Sequence, residues 1–216
     1  MKIGIIGSGS VAQAIGSGLI AAGHQVMLGS REPAKPAIAG WLDKSGAAAH
    51  AGTFPEAAEF GEIVFVATRG TATEQALQLA GPDRFSGKVV VDVTNPLKMN
   101  AEKQMILAPL PDGSLGETVQ RLLGTAKVVK ALNTVNSAHM VHPRFPGGTP
   151  EMFLCGNDAD AKKTVGEILA AFGWAPIDAG GIEAARLLEP LSLLGIRLAL
   201  ASGNWNYVFR LIHQDP

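Results

Sequence analysis

Only one cysteine, no excess of either charge and no long apolar run occur in these 216 residues. With Cys155 alone, no disulfide can form within the chain, a composition expected of a reducing compartment. A membrane helix needs roughly 18 consecutive apolar residues. No segment reaches that, so no membrane partner is expected. Lys and Arg total 18 against 19 Asp and Glu, for a net charge of −1. That balance argues against nucleic acid as a partner. No charged-then-apolar leader opens the sequence, because the residues after Met1 read as a strand, and a cytoplasmic location is expected. What is abundant is apolar and small. Hydrophobic residues make up 47%, with 26 glycines, enough for one large domain of helices packed closely on a sheet.

The strongest signal lies at the start. Lys2-Ile3-Gly4-Ile5-Ile6 reads as a buried strand and runs into Gly7-Ser8-Gly9-Ser10-Val11-Ala12, a Gly-x-Gly-x-x-Ala turn that opens a helix. In that context the turn predicts a dinucleotide site. Gly7 makes the tight turn, Gly9 leaves room for a pyrophosphate, and Ala12 lets helix and strand pack closely. The amides of Ser8, Ser10 and Val11 then face the phosphates. The second strand, His24 to Gly29, ends in Ser30-Arg31 where a site for NAD carries an acid. A hydroxyl and a planar guanidinium suit the 2′-phosphate of NADP, with Lys35 adding charge and Glu32 turned to solvent.

Strand and helix patterns alternate onwards. Residues 33–44 read as a helix opened by Pro33, 48–51 as a weak strand, 54–60 as a short helix and 62–67 as a buried strand. Helix 71–80 and strand 88–93 follow. Residues 98–114 read as a long irregular loop, of a length that is usually functional. Then come helix 115–123, strand 126–131, an irregular stretch 133–150, strand 152–155, helix 158–172 and strand 175–178. A last helix over 182–202 is expected to be interrupted at Pro190 and Gly195. The predicted fold class is α/β: a doubly wound, mostly parallel Rossmann sheet over residues 1–178, with a small C-terminal helical appendage at 179–216 for substrate or dimerisation.

The sequence resembles the NADPH-dependent oxidoreductases that exchange hydride with the deazaflavin coenzyme F420, a family related to the cytosolic domain of eukaryotic metalloreductases. Its carriers are the glycine turn, Gly29-Ser30-Arg31, Asp92-Val93-Thr94-Asn95-Pro96-Leu97, Val128-Val129-Lys130-Ala131-Leu132-Asn133-Thr134 and Ala184-Ala185-Arg186-Leu187-Leu188-Glu189-Pro190-Leu191. The resemblance implies NADP as cofactor, F420 or a flavin as second substrate, a ring stacked near the nicotinamide, and a C-terminal appendage that helps close the cleft. One departure is Thr68-Arg69-Gly70, where the family commonly has a proline.

Hydride transfer between stacked rings needs no acid–base dyad, so no catalytic side chain is expected. No metal is expected either, because His139 and His142 have no further ligands at suitable positions. Ala67, Thr68 and Arg69 follow one strand, Asn95 and Pro96 the next, and Asn133 the one after; such strand ends line the ligand crevice of this fold. Asn95 is a candidate for a ribose or ring amide, with ordinary turn chemistry as the alternative. Asn133 is the candidate for the nicotinamide or the second ring, with a capping role as the alternative. Arg69 either reaches a phosphate or substrate acid or is solvated. His139 and His142, three apart, share a face if they stand on a helical turn. A structural role is expected for both, with His139 as proton donor the alternative. Met99, Met105 and Ile106 supply apolar cover in the 98–114 loop, and Cys155 is expected to pack as a small apolar residue. The last helix carries too many large apolar residues for one face, which predicts a homodimer. Pyrroline-5-carboxylate reductase opens similarly but needs a longer helical domain after residue 178. A flavin-dependent ferric reductase and a non-catalytic NADPH-sensing regulator are the remaining alternatives.

Overall fold

A computed structural model describes residues 1–212. The main sheet is built from β1 (Lys2–Ile6), β2 (Gln25–Gly29), β3 (Ala49–Gly52), β4 (Ile63–Val66), β5 (Val89–Asp92), β8 (Lys127–Lys130), β9 (Glu151–Gly156) and β10 (Ala175–Asp178). Two further short strands, β6 (Leu97–Met99) and β7 (Met105–Leu107), pair only with each other. The spatial order is β10-β9-β8-β5-β4-β1-β2-β3. Every pairing in it is parallel except β8 with β9, which is antiparallel. This is the expected doubly wound Rossmann sheet. Its central strands are continuous apolar runs because both faces are covered, and Ile3, Ile5, Val64, Phe65, Val90 and Val91 are wholly buried.

Helices α1 (Ser10–Ala21), α2 (Pro36–Ser45), α3 (Phe54–Phe60), α4 (Thr73–Ala80), α5 (Leu115–Leu123), α6 (Ala159–Ala171) and α7 (Ala185–Ser202) cover the two faces. One core lies under α1, α2 and α6, the other under α3, α4, α5 and the start of α7. Cys155 packs in the second of these, and burial pushes its thiol pKa up to about 12. That makes it an inert apolar filler. Among the described residues, no helix is long and apolar enough to cross a membrane.

Three expectations about elements change. Helix α2 starts at Pro36, not Pro33. A residue preceding proline is pushed out of the helical region, and Lys35 is accordingly extended (φ −64°, ψ 146°). The 98–114 segment is not all irregular. Leu97 pairs with Leu107 and Met99 with Met105 in a hairpin. Its turn is closed by the Gln104 amide donating to Asn100 Oδ1 at 2.8 Å, and Lys103 adopts φ 58°. The last helix is continuous from Ala185 to Ser202. Pro190 lies on its exposed side. Gly195 lies on the buried side, where the Tyr207 ring occupies the space that a side chain would take.

One cluster ties α7 to the sheet. Lys130, wholly buried on β8, donates to Asp92 Oδ2 at 2.6 Å and to the Thr94 carbonyl at 2.8 Å, and pairs with Glu189 Oε1 at 3.1 Å. Asp92 ends β5, and its Oδ1 accepts from the amide (2.9 Å) and hydroxyl (2.6 Å) of Thr94. Glu189, on α7, accepts from the Leu115 and Gly116 amides that open α5, at 3.1 and 3.0 Å. Burial alone would lower the Lys130 pKa, but the two carboxylates outweigh it and hold the pKa above the ordinary lysine value. Removing one partner of such a cluster leaves a buried charge uncompensated. Lys130→Met is therefore expected to lower unfolding stability by about 3–5 kcal/mol in urea titrations. The combined replacement Asp92→Asn, Lys130→Met, Glu189→Gln should recover most of that loss. The sign of the lysine contribution also fixes a pH limb. The raised folded pKa makes it complete below the ordinary value of 10.5 and progressively lost as pH rises through the folded value.

Candidate active site

The site lies where the parallel strands end. Gly7 has φ +137°, a backbone region that side chains rarely adopt, and a Cβ there would stand 2.4 Å from the Ala67 carbonyl oxygen. Its amide donates to the Gly29 carbonyl, which joins the turn to the end of β2. Gly9 differs. It caps α1 in extended conformation, and nothing stands within 4 Å of where its side chain would be. The space above Gly9 is open, α1 has no side-chain cap, and its first turn contains no acid. The free amides of Ser10 and Val11 therefore face an open cradle suited to an anion. Gln13 braces the turn by donating to the Ser8 carbonyl at 3.1 Å.

Gly9, Ser10, Val11, Ala67, Thr68, Arg69 and Asn95 line one cleft of ≈ 420 Å³, together with Gly70, Val93, Thr94 and Leu97. Arg69 is exposed at its margin. Gly70 packs on the Asn95 carbonyl so closely that a side chain would not fit, which brings the loops after β4 and β5 together. Ser30, Arg31 and Lys35 are outside that lining, at the same end of the sheet. The Ser30 hydroxyl is buried and accepts from the Glu32 amide at 3.1 Å, while Arg31 and Glu32 are exposed. Among the described residues the Arg31 guanidinium takes part in no hydrogen bond or ion pair. Pro96 is buried behind the cleft, where its carbonyl accepts from Ala108.

Beyond Asn95 the cleft continues into a recess of ≈ 180 Å³, with Val11, Val93 and Asn95 as shared walls. Asn133, Thr134, Met140, Ser192 and Ile196 contribute to it, and Trp205 and Tyr207 close it. The two asparagines are clasped. Asn95 Nδ2 donates to the Asn133 carbonyl at 2.7 Å, and Asn133 Nδ2 donates to Asn95 Oδ1 and to the Leu188 carbonyl, both at 3.0 Å. Both Asn133 donors meet acceptors, which fixes the amide orientation. Its Oδ1 is buried without a partner. An orphaned buried acceptor is costly and fits a ligand N–H such as a carboxamide.

The histidines stand apart from this lining. The helical turn ends at His139, and His142 lies beyond it at φ 50°, so they do not share a helical face. His139 Nε2 lies 2.8 Å from Asn206 Oδ1, and its ring packs on Phe145. The sequence reading missed the aromatic walls Trp205 and Tyr207. Their signal was an aromatic cluster after Gly203, where the helix ends in a left-handed glycine. It also missed Lys130 and Glu189 as a pair.

A family model described as "NADP oxidoreductase coenzyme F420-dependent" matches residues 2–96. The F420-dependent NADP reductase of Methanocaldococcus jannaschii is 30% identical over 215 residues, covering 94% of this chain and 95% of that protein. The chain belongs to this family of NADP oxidoreductases. A crystal structure from Arthrobacter sp. FB24, named as a candidate F420-dependent NADP reductase, superposes with a TM-score of 0.93 at 38% identity, covering 99% of this chain and all of that one. The rat metalloreductase STEAP3 is 33% identical over 205 residues, or 89% of this chain, which spans only 37% of that longer relative.

Opening at Gly9 and crowding at Gly7 make opposite predictions. Gly9→Val should melt at the wild-type temperature and lose dinucleotide affinity, since its side chain fills only the phosphate path. Gly7→Val should lower the melting temperature. Circular dichroism melts paired with cofactor titration check both.

Proposed function

We propose that this chain transfers hydride between NADPH and a deazaflavin of the F420 type. The observation that carries the proposal is the orphaned Asn133 Oδ1 beside an aromatic-walled recess that continues the cleft above Gly9. In this reading the amides of Ser10 and Val11 hold the diphosphate, Ser30 and Arg31 the 2′-phosphate with Lys35 nearby, and Arg69 a phosphate at the cleft margin. Bound NADPH supplies the hydride. Asn133 Oδ1 accepts from the carboxamide and fixes which face of the nicotinamide ring turns to the recess. Trp205, Tyr207 and Ile196 exclude water there and offer flat apolar surface to a second ring. No side chain has to move a proton, because the rings carry the chemistry.

The metalloreductase likeness favours a ferric reductase as the second reading. Steady-state assays with F420, flavin mononucleotide and ferric chelates separate the two. Turnover is expected with F420, and faster turnover with flavin or iron would move the assignment. Slow turnover with every acceptor would favour the NADPH-sensing regulator. In the same assays Arg31→Ala should weaken NADPH by about tenfold to a hundredfold, the loss of a charge-assisted contact of ~1.5–3 kcal/mol. NADH should be unaffected. Equal NADPH affinity in both proteins would remove Arg31 from the site.

We also propose a homodimer through α7. Leu187, Leu194 and Leu198 project from one side of that helix at 72%, 49% and 54% exposure, and a leucine stripe of this kind is costly to leave in water. The opposite side carries Ser192 and Ile196 into the recess. Light scattering should report twice the chain mass for wild type and one chain mass for Leu194→Glu, Leu198→Glu. A monomeric, fully active wild type would exclude the dimer.

A further inference from the structure

We propose that the buried Lys130–Asp92–Glu189 cluster is a positioning device for the nicotinamide end of the dinucleotide. The proposal rests on the NADPH reading of the cleft. None of the three residues lines the cleft or the recess, so none touches the ligand. They act through two asparagines that do line it.

The connections form a closed circuit. Each polar backbone or side-chain group of Thr94 is held by the cluster. Its amide and hydroxyl donate to Asp92, and its carbonyl accepts from Lys130. Thr94 leads directly into Asn95, which is clasped to Asn133 in both directions. Asn133 in turn donates to the Leu188 carbonyl on α7. Leu188 adjoins Glu189, whose carboxylate returns to Lys130 and is fixed by the two amides that open α5. The loop after β5, the loop after β8 and helix α7 are thereby locked to one another by directional bonds. The one side-chain polar atom of Asn133 without a hydrogen-bond partner is Oδ1. Apolar packing alone would hold α7 down without fixing its rotation to the precision that a hydrogen-bonded ligand needs.

The adenosine end is independent of the circuit. The glycine turn, Ser30 and Arg31 sit on β1 and β2, and no hydrogen bond or ion pair of the cluster reaches them. The two ends of the ligand should therefore respond separately. The fragment 2′,5′-ADP carries the adenosine and the 2′-phosphate but no nicotinamide.

Affinities for NADPH and 2′,5′-ADP are measured by titration calorimetry on wild type, on Glu189→Gln, and on the triple variant Asp92→Asn, Lys130→Met, Glu189→Gln. The triple variant leaves no unpaired buried charge and is chosen to fold. Both variants are expected to bind 2′,5′-ADP within about twofold of wild type and NADPH about tenfold more weakly, the order seen when a group that orients a contacting residue is lost. Loss of both affinities together, loss of neither, or a triple variant that does not fold would each overturn the proposal, because the cluster would then supply stability and not position. Wild type that binds NADPH no better than 2′,5′-ADP would instead overturn the NADPH reading, and the proposal with it.

Discussion

A wholly buried lysine ammonium held between two buried carboxylates is the interaction on which the arrangement of this protein depends. Two negative charges face one positive charge, so the cluster is acceptable only because other donors share the excess. The amides that open α5 supply part, as donors and as the positive end of a helix dipole directed at Glu189. The Thr94 amide and hydroxyl supply the rest at Asp92. Such clusters are poor sources of net stability, because desolvation offsets most of the attraction. Their use lies in direction. A leucine in place of Glu189 would still seat α7 on the sheet, but would leave its rotation and register to shape alone.

Much of the sheet was legible because its signals are local. The apolar runs at 2–6, 63–66 and 89–92 have only one way to be buried in a chain that alternates strand with helix. The glycine turn was legible for the same reason, since strand, turn and helix are consecutive. The charge cluster was not. Asp92, Lys130 and Glu189 each lie in a segment that identified the family, yet Lys130 is 38 residues from Asp92, and Glu189 meets an amide 74 residues away. Nothing in spacing says that an isolated lysine at the end of an apolar strand is buried. Base expectation places it at the surface.

The same distance effect explains the other misses. Pro190 and Gly195 carry strong local signals for a break, and the helix runs through both because tertiary contacts decide. Tyr207 fills the groove that Gly195 leaves, and Pro190 faces water. The hairpin at 97–107 escaped notice because its strands are three residues each and too short to set up a period. The start of α2 was instead a local error. Pro33 and Pro36 both suit a first turn, and the rule that the residue before proline stays extended excludes the earlier one.

These observations divide the C-terminal edge of the sheet into two parts with different physics. At β1 and β2 the backbone itself shapes the cleft: Gly7 in a positive-φ conformation suited to glycine, open Gly9 and the unpaired amides of α1 are fixed by sheet hydrogen bonds and close packing. Among the described residues, no hydrogen bond or ion pair joins that half to the C-terminal helix. At β5 and β8 the lining is made of side chains on loops, and loops hold position only where something anchors them. In the proposed positioning role the buried charges are that anchor, and they extend the rigidity of the sheet three residues beyond its ends, to Asn95 and Asn133. A phosphate tolerates a loosely set nest of amides, since charge acts over distance. A planar ring that must present one face to another does not, because the reacting atoms must approach to ≈ 3–3.5 Å with orbitals aligned. The costly interaction therefore stands at the end of the cleft where geometry is most demanding.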